Sequence, residues 1–228
     1  MNKELEKEIK AELRAERYQA LFRRYKLLII ALVIIVFLVI GIWQFVVWRK
    51  NRSLEQASTH YFNIVQLLNT IDGQPVSSAS KTQALAELEK HTSQFPQSIK
   101  TLAQFEQANL LKEQSKRQEA LKLWTQISKD LSVRPEFRSL AELFWIQNQL
   151  DDVKPEQLRG KISELLGQQT PWNSLIKECE ALLDLKTGNA QKATQIFGQL
   201  SSDPNVSPGV QQRARMLMQI IAMKKIIQ

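Results

Sequence analysis

The chain has few of the residues that commonly mark catalytic or metal-binding sites. It contains one cysteine, Cys179, and two histidines, His60 and His91. A single cysteine excludes an intramolecular disulfide and leaves no Cys-Cys or Cys-His metal spacing. Gly-rich phosphate loops and the HExxH and GxSxG motifs are also missing from the sequence. We therefore expect no enzyme, no metal, no cofactor and no small-molecule substrate, and we expect Cys179 to pack in an apolar core.

Strand signals are missing as well. The chain has seven glycines and no alternating apolar-polar runs of strand length, whereas residues after Arg52 are rich in Leu, Ala, Gln, Glu and Lys. This pattern predicts an all-α fold. About 175 residues follow Arg52, which is enough for one domain with its own core.

One long apolar run is present, from Leu27 to Trp48, and it carries no charge. As a helix it would be about 33 Å long, enough to cross a hydrocarbon core of about 30 Å. It ends in aromatic residues followed by Arg49, Lys50 and Arg52, as an interfacial anchor does. It is longer than the apolar part of a cleavable signal peptide. We therefore predict an uncleaved transmembrane helix over 27–48.

The cations near the two ends of this run predict its orientation. Seven Lys and Arg residues precede it within twenty positions, and three follow it. Cationic flanks tend to stay cytoplasmic, so we expect residues 1–26 inside and the large C-terminal part outside. The chain has a formal net charge of +8, and the two flanks together account for +6 of it. Residues 53–228 therefore have a net charge near +2. The basicity therefore fits lipid headgroups, and we expect no nucleic-acid partner.

The segment before the run has helical spacing of Leu5, Ile9 and Leu13. Residues 1–26 are therefore predicted to form a cytoplasmic helix. Two alternatives remain for it: contact with a partner or the membrane surface, or a solvated extension of the transmembrane helix.

A repeat is visible in residues 53–228. Small or apolar residues at 84, 120, 158 and 193 are 36, 38 and 35 positions apart, each followed by a large residue and then a proline. The tetratricopeptide repeat has 34 residues and a similar Ala, Phe and Pro pattern. A tetratricopeptide-like solenoid of helical hairpins is predicted, although a plain stack of hairpins would look nearly the same. The expected helices are 52–70, 81–93, 98–113, 117–130, 136–149, 155–167, 172–186, 189–200 and 208–227. A polar loop is expected from Asp72 to Ser80, and Thr170 is expected to cap the helix that follows it. Gly188 suits a left-handed helix end, with Lys186 against the last carbonyls.

The residues KEIKAELRAERYQALFRRY before the run and TPWNSLIKECEALLDLKTGNAQKATQIFGQLSSDPNVSPGVQQRARMLMQII near the C-terminus carry a family resemblance. The layout resembles the single-span, tetratricopeptide-like proteins of the YfgM family, ancillary subunits of the SecYEG translocon, in their alphaproteobacterial form. The resemblance implies an inner-membrane protein with a periplasmic repeat domain that works with translocon subunits, periplasmic chaperones or secreted clients. A coordinator of envelope growth or division with the same domain is the alternative.

Repeat solenoids bind through a concave face built from the first helix of each pair. The residues predicted to line that face, each of which could equally belong to the core, are Leu102, Phe105, Asn109, Lys112, Leu175, Glu178 and Leu182.

Overall fold

The computed structural model describes residues 2–68 and 76–227, and it describes the side chains at 31, 32, 34–68 and 76–223. Within these ranges the protein is all-helical and has no strand. The helices are α1 (Asn2–Gln66), α2 (Ser78–His91), α3 (Gln97–Glu113), α4 (Arg117–Lys129), α5 (Pro135–Gln147), α6 (Pro155–Gly167), α7 (Asn173–Lys186), α8 (Ala190–Ser202) and α9 (Pro208–Ile227).

The chain divides into two compact units, Met1–Gln56 and Ala57–Gln228. In the first unit all described apolar side chains except the half-buried Val47 are exposed, as Phe37 and Trp43 illustrate with 69% and 65% of their surface accessible. The guanidinium of Arg52 lies over the Trp48 ring, 5.3 Å from its centroid. The stripe predicted at Leu5, Ile9 and Leu13 lies outside the described side chains.

The helix α1 departs from the expectation of a separate helix beginning near residue 52. Its backbone is already helical there and continues to Gln66, so that prediction is wrong. Charged residues such as Arg49 and Lys50 remain solvated on a helix exterior and do not interrupt its hydrogen bonds. The polar loop predicted at Asp72–Pro75 lies outside the described residues, and its predicted extension to Ser80 is wrong because α2 begins at Ser78. The Ser77 hydroxyl caps that helix by accepting a bond of 3.0 Å from the Ser80 N–H.

The second unit is a series of antiparallel helical hairpins, in which each helix from α2 onward packs mainly on its neighbours in the chain. Its core consists of three successive clusters, which run from Ala57 to Ala141, from Leu143 to Leu183 and from Ala181 to Ala214. The repeat positions chosen from the sequence are all buried in them: Ala84, Leu88, Ala120, Trp124, Ile127, Leu158, Ile162, Leu165, Ala193, Phe197 and Leu200.

The structure agrees with the predicted cap at Gly188 and differs from the predicted caps at Lys186 and Thr170. Gly188 has a φ of +84°, in the left-handed region, as predicted for the residue after α7. Lys186, however, donates to Leu150 O and to Asp151 Oδ1, and so does not cap the last carbonyls of its own helix. Thr170 closes a turn by accepting from the Trp172 N–H, and α7 begins only at Asn173.

Candidate interaction surface

The residues predicted on α3 divide between the surface and the core. Leu102 is 38% exposed, Lys112 is exposed and Asn109 is half-buried. Phe105 is buried, with its ring edge-to-face against Phe144 at 5.8 Å between centroids. Of the residues predicted on α3, those accessible to a partner are therefore Leu102, Asn109 and Lys112.

The residues predicted on α7 mostly face inward. Leu175 and Leu182 are half-buried and pack against the third core cluster. Glu178 is buried and accepts two hydrogen bonds of 2.7 Å, from Nε and Nη2 of Arg213 on α9. These bonds raise the pKa of Arg213 above its ordinary value. The carboxylate of Glu178 thus joins α7 to α9 and is not offered to a partner in this structure.

A second buried carboxylate ties α7 to the helices on either side. Asp184 has no exposed surface and lies 2.6 Å from Arg159 Nη1 on α6 and 3.3 Å from Lys192 Nζ on α8. A buried charge needs opposite charges nearby, and here these ion pairs link α7 to α6 and α8. Cys179 on the same helix is also buried, and burial followed by the charge of Glu178 raises its pKa to about 12. Its thiol is therefore an unreactive core residue.

The last helix, α9, has an exposed apolar row that the sequence analysis did not single out. Met216, Ile220 and Met223 are 48%, 55% and 56% exposed, and their spacing of four and three residues places them on one helix face. The opposite face carries Val210 and Ala214, which are buried in the third core cluster. We call Met216, Ile220 and Met223 the α9 stripe. The sequence of α9 has apolar residues on most sides of the helix. Such a distribution indicates that a second face is covered, and this was the available signal.

The grooves on the second unit are small and largely polar. One of about 240 Å³ lies between the start of α7 and the turn from α8 to α9, beside Asn173 and Asp203. Another of about 310 Å³ is lined by Arg138, Glu142 and Glu164 among others. Small-molecule sites are usually apolar and about 300–1,000 Å³ in volume. The volumes of these two grooves are therefore at or below the lower end of that range.

One cluster of potential metal ligands brings α1 and α2 together within the second unit. His60, Glu87 and His91 each place a ligand atom within 4.8 Å of the others. The two imidazole rings meet edge-to-face at 4.3 Å between centroids, and His91 Nε2 lies 3.4 Å from Glu87 Oε2. The sequence predicted no site here, because the two histidines fall on separate predicted helices with no nucleophile or carboxylate at a telling spacing. The pair Glu87 and His91, four residues apart on one helix face, was the signal available.

Burial also shifts the pKa of an acidic side chain on α3, Glu106. Glu106 on α3 is half-buried, and its pKa is raised first by burial and then by the nearby charge of Glu113. Burial likewise raises the pKa of Tyr61 on α1, and the nearby charge of Glu106 raises it further. These two groups lie at the interface of packed helices, and their shifts follow from that packing.

In the part of the chain that the structure describes, the protein is an all-helical hairpin protein with one candidate membrane-spanning helix. The segment Ile34–Gln66 is long and apolar enough to cross a membrane by its length and composition, which is compatible with a single-pass membrane protein. The chain belongs to the family described as "Protein of unknown function (DUF2659)", whose model matches residues 2–221. No curated protein and no solved structure matches the chain.

Proposed function

We propose that this protein is a membrane-anchored scaffold that holds protein partners on its helical-hairpin unit. The α9 stripe is the observation that carries this proposal. Met216, Ile220 and Met223 form an exposed row of apolar side chains on one helix face. Contiguous exposed apolar patches on folded proteins commonly mark interaction sites.

The spacing of the α9 stripe suits a common form of recognition. Apolar residues at positions i, i+4 and i+7 of a helix fit a hydrophobic groove on a partner. Two of the three are methionines, whose flexible side chains adapt to irregular surfaces. Leu102, Asn109 and Lys112 on α3 offer further accessible groups, and we propose them as additional contact residues.

The proposed membrane anchor would favour binding of partners to this surface. A helix that spans the inner membrane would keep the hairpin unit beside other membrane proteins and raise its effective concentration there. The cation bias of seven against three favours a periplasmic hairpin unit. A reporter that is active only in the periplasm, fused after Gln228, should be active. Activity of a cytoplasm-only reporter at that position would reverse the topology.

The partner we propose is the Sec translocon with its periplasmic chaperones or emerging clients, and this assignment rests on the YfgM-like resemblance. A coordinator of envelope growth or division is the second candidate, since a hairpin scaffold could equally hold cell-wall enzymes. The two proposals differ in the proteins that should contact the α9 stripe.

Photo-crosslinking in native membranes separates these alternatives. A photoreactive amino acid at Met216, Ile220 or Met223 should give discrete adducts whose partners are then identified by mass spectrometry. The same residue at Lys122, which is exposed on α4, serves as the control and should give few adducts. Translocon or chaperone adducts would support the first role, and cell-wall enzymes the second. Equal labelling from Lys122 and the α9 stripe would refute a dedicated surface on α9.

A further inference from the structure

We infer that His60, Glu87 and His91 form a binding site for a zinc-class divalent cation that joins the end of α1 to α2. Two imidazoles and one carboxylate are nitrogen and oxygen ligands of the kind that Zn²⁺ binds. Their ligand atoms already lie within 4.8 Å of one another, although they come from two helices. All three residues belong to the second unit, so the site lies within one compact body.

The distances fit the coordination of such an ion. Metal-ligand bonds of about 2.0–2.1 Å in a tetrahedron place neighbouring ligand atoms about 3.4 Å apart. His91 Nε2 and Glu87 Oε2 are separated by 3.4 Å and so already have this spacing. All separations in the cluster are within 4.8 Å, so the ligand atoms need to approach by at most about 1.4 Å, which side-chain rotation can supply.

The surroundings support an ordered but accessible site. Phe95 packs edge-to-face on the His60 ring at 5.9 Å between centroids, which limits how that imidazole can turn. His91 and Glu87 keep 20% and 41% of their side-chain surface accessible, so an ion can enter from solvent. Three protein ligands leave a fourth position for water or for a ligand from a partner. Cys179 cannot compete, because it is buried in a different core cluster.

Binding of the ion would stabilise the first hairpin. The buried residues Ala57 and Ile64 of α1 pack in the first core cluster with Leu88 of α2, and the ion would add a direct link between the same two helices. An ion that binds the folded state preferentially raises its stability in proportion to the logarithm of its concentration. Zinc bound at this site would therefore stabilise the packing of the end of α1 against α2.

Titration of the full chain with Zn²⁺ tests this inference. The protein is prepared in detergent without a histidine tag, and zinc binding is measured by calorimetry and by competition with a chromogenic chelator. We expect one Zn²⁺ per chain and no displacement by a tenfold excess of Mg²⁺, which prefers oxygen ligands. His60→Gln and Glu87→Gln should each weaken binding at least tenfold. Glu89→Gln, an exposed carboxylate on the same helix, is the matched control and should change affinity less than twofold.

A second measurement uses the unaltered chain, so that a variant that fails to fold cannot obscure the result. The chain has two histidines, so nuclear magnetic resonance resolves two imidazole Cε1–H signals. Both signals should shift together and saturate at one equivalent of zinc. Unshifted signals, parent-like affinity in His60→Gln, or equal loss in Glu89→Gln would each overturn the site.

Discussion

Trp124 illustrates how single side chains hold the hairpins together. Its side chain is 1% exposed, and its ring packs edge-to-face on Phe144 of the next helix at 5.9 Å between centroids. The indole Nε1 is buried without a hydrogen-bond partner. The residue thus contributes through apolar area and shape, and its polar atom is a cost.

Trp124→Ala should therefore lower the free energy of unfolding by about 3–5 kcal/mol, as truncation of a large buried aromatic does. Trp124→Phe should cost less, about 1–2 kcal/mol, because it keeps a ring and removes the unpaired N–H. Chemical denaturation monitored by circular dichroism measures both. A Trp124→Ala protein that unfolds together with the parent would mean that the indole is solvated in solution.

Arg213 should matter far more than an ordinary surface arginine. Its removal would leave the buried carboxylate of Glu178 without its two charged donors. Because the Arg213 side chain is 47% exposed and water can reach that end of the pair, we expect Arg213→Met to cost about 1–3 kcal/mol. The control is Arg215→Met, two residues along, whose guanidinium bonds only to Gln211 at 3.1 Å in the described structure. Equal denaturation midpoints for the two variants would argue against the pair.

At the scale of elements, the end of α7 shows how a helix stop is built. The N–H of Asn189 donates to Asp184 O at 2.8 Å, and the N–H of Gly188 donates to Leu185 O at 3.1 Å. This pattern requires a residue in the left-handed region, where Gly188 has its φ of +84°. The turn that follows directs α8 back onto α7.

Two glycine substitutions should therefore have opposite effects. Gly188→Ala should destabilise the protein by about 1–2 kcal/mol, because a side chain disfavours the left-handed conformation. Gly160→Ala, within α6, should stabilise it by about 0.5–1 kcal/mol through helix propensity. No neighbouring atom lies within 4 Å of a Cβ added at either position, so steric clashes do not enter. Thermal melting gives both values, and shifts of the same sign would contradict this account of the turn.

Most helix boundaries were predictable because their signals are local. Pro135 and Pro155 open α5 and α6, and the bounds predicted from such residues lie within a few positions of those observed. The start of the first helix of the hairpin unit was missed because the cations after Trp48 looked like a boundary. No proline or glycine interrupts 42–66, and those residues are what stop a helix.

The site was less predictable than the fold. Spacing identified the faces of α3 and α7, but it could not tell which face each neighbouring helix would cover. Phe105 and Glu178 proved to be buried for this reason. The contact of His60 with Glu87 and His91 depends on how α1 returns to α2, and no periodicity carries that information. The tertiary packing alone brings these three residues together.

At the scale of the whole molecule, the proposed function depends on joining an anchor to a binding surface. Residues 53–228 carry a net charge near +2, which gives little long-range steering toward a partner. A tether to the membrane would compensate, since it raises the effective concentration to roughly millimolar for a short connection. We therefore expect the isolated hairpin unit to bind its partners weakly and the anchored protein to co-purify with a membrane complex.

Co-purification with and without the anchor tests this account most directly. The chain lacking Leu27 to Trp48 is exported by a cleavable signal, and its recovery of partners is compared with that of the full chain by quantitative mass spectrometry. A matched control replaces 27–48 with an unrelated transmembrane helix of equal length. We predict that deletion abolishes co-purification and that the unrelated helix restores it. Recovery of the same complex by the freed domain, at the level of the full chain, would contradict the account.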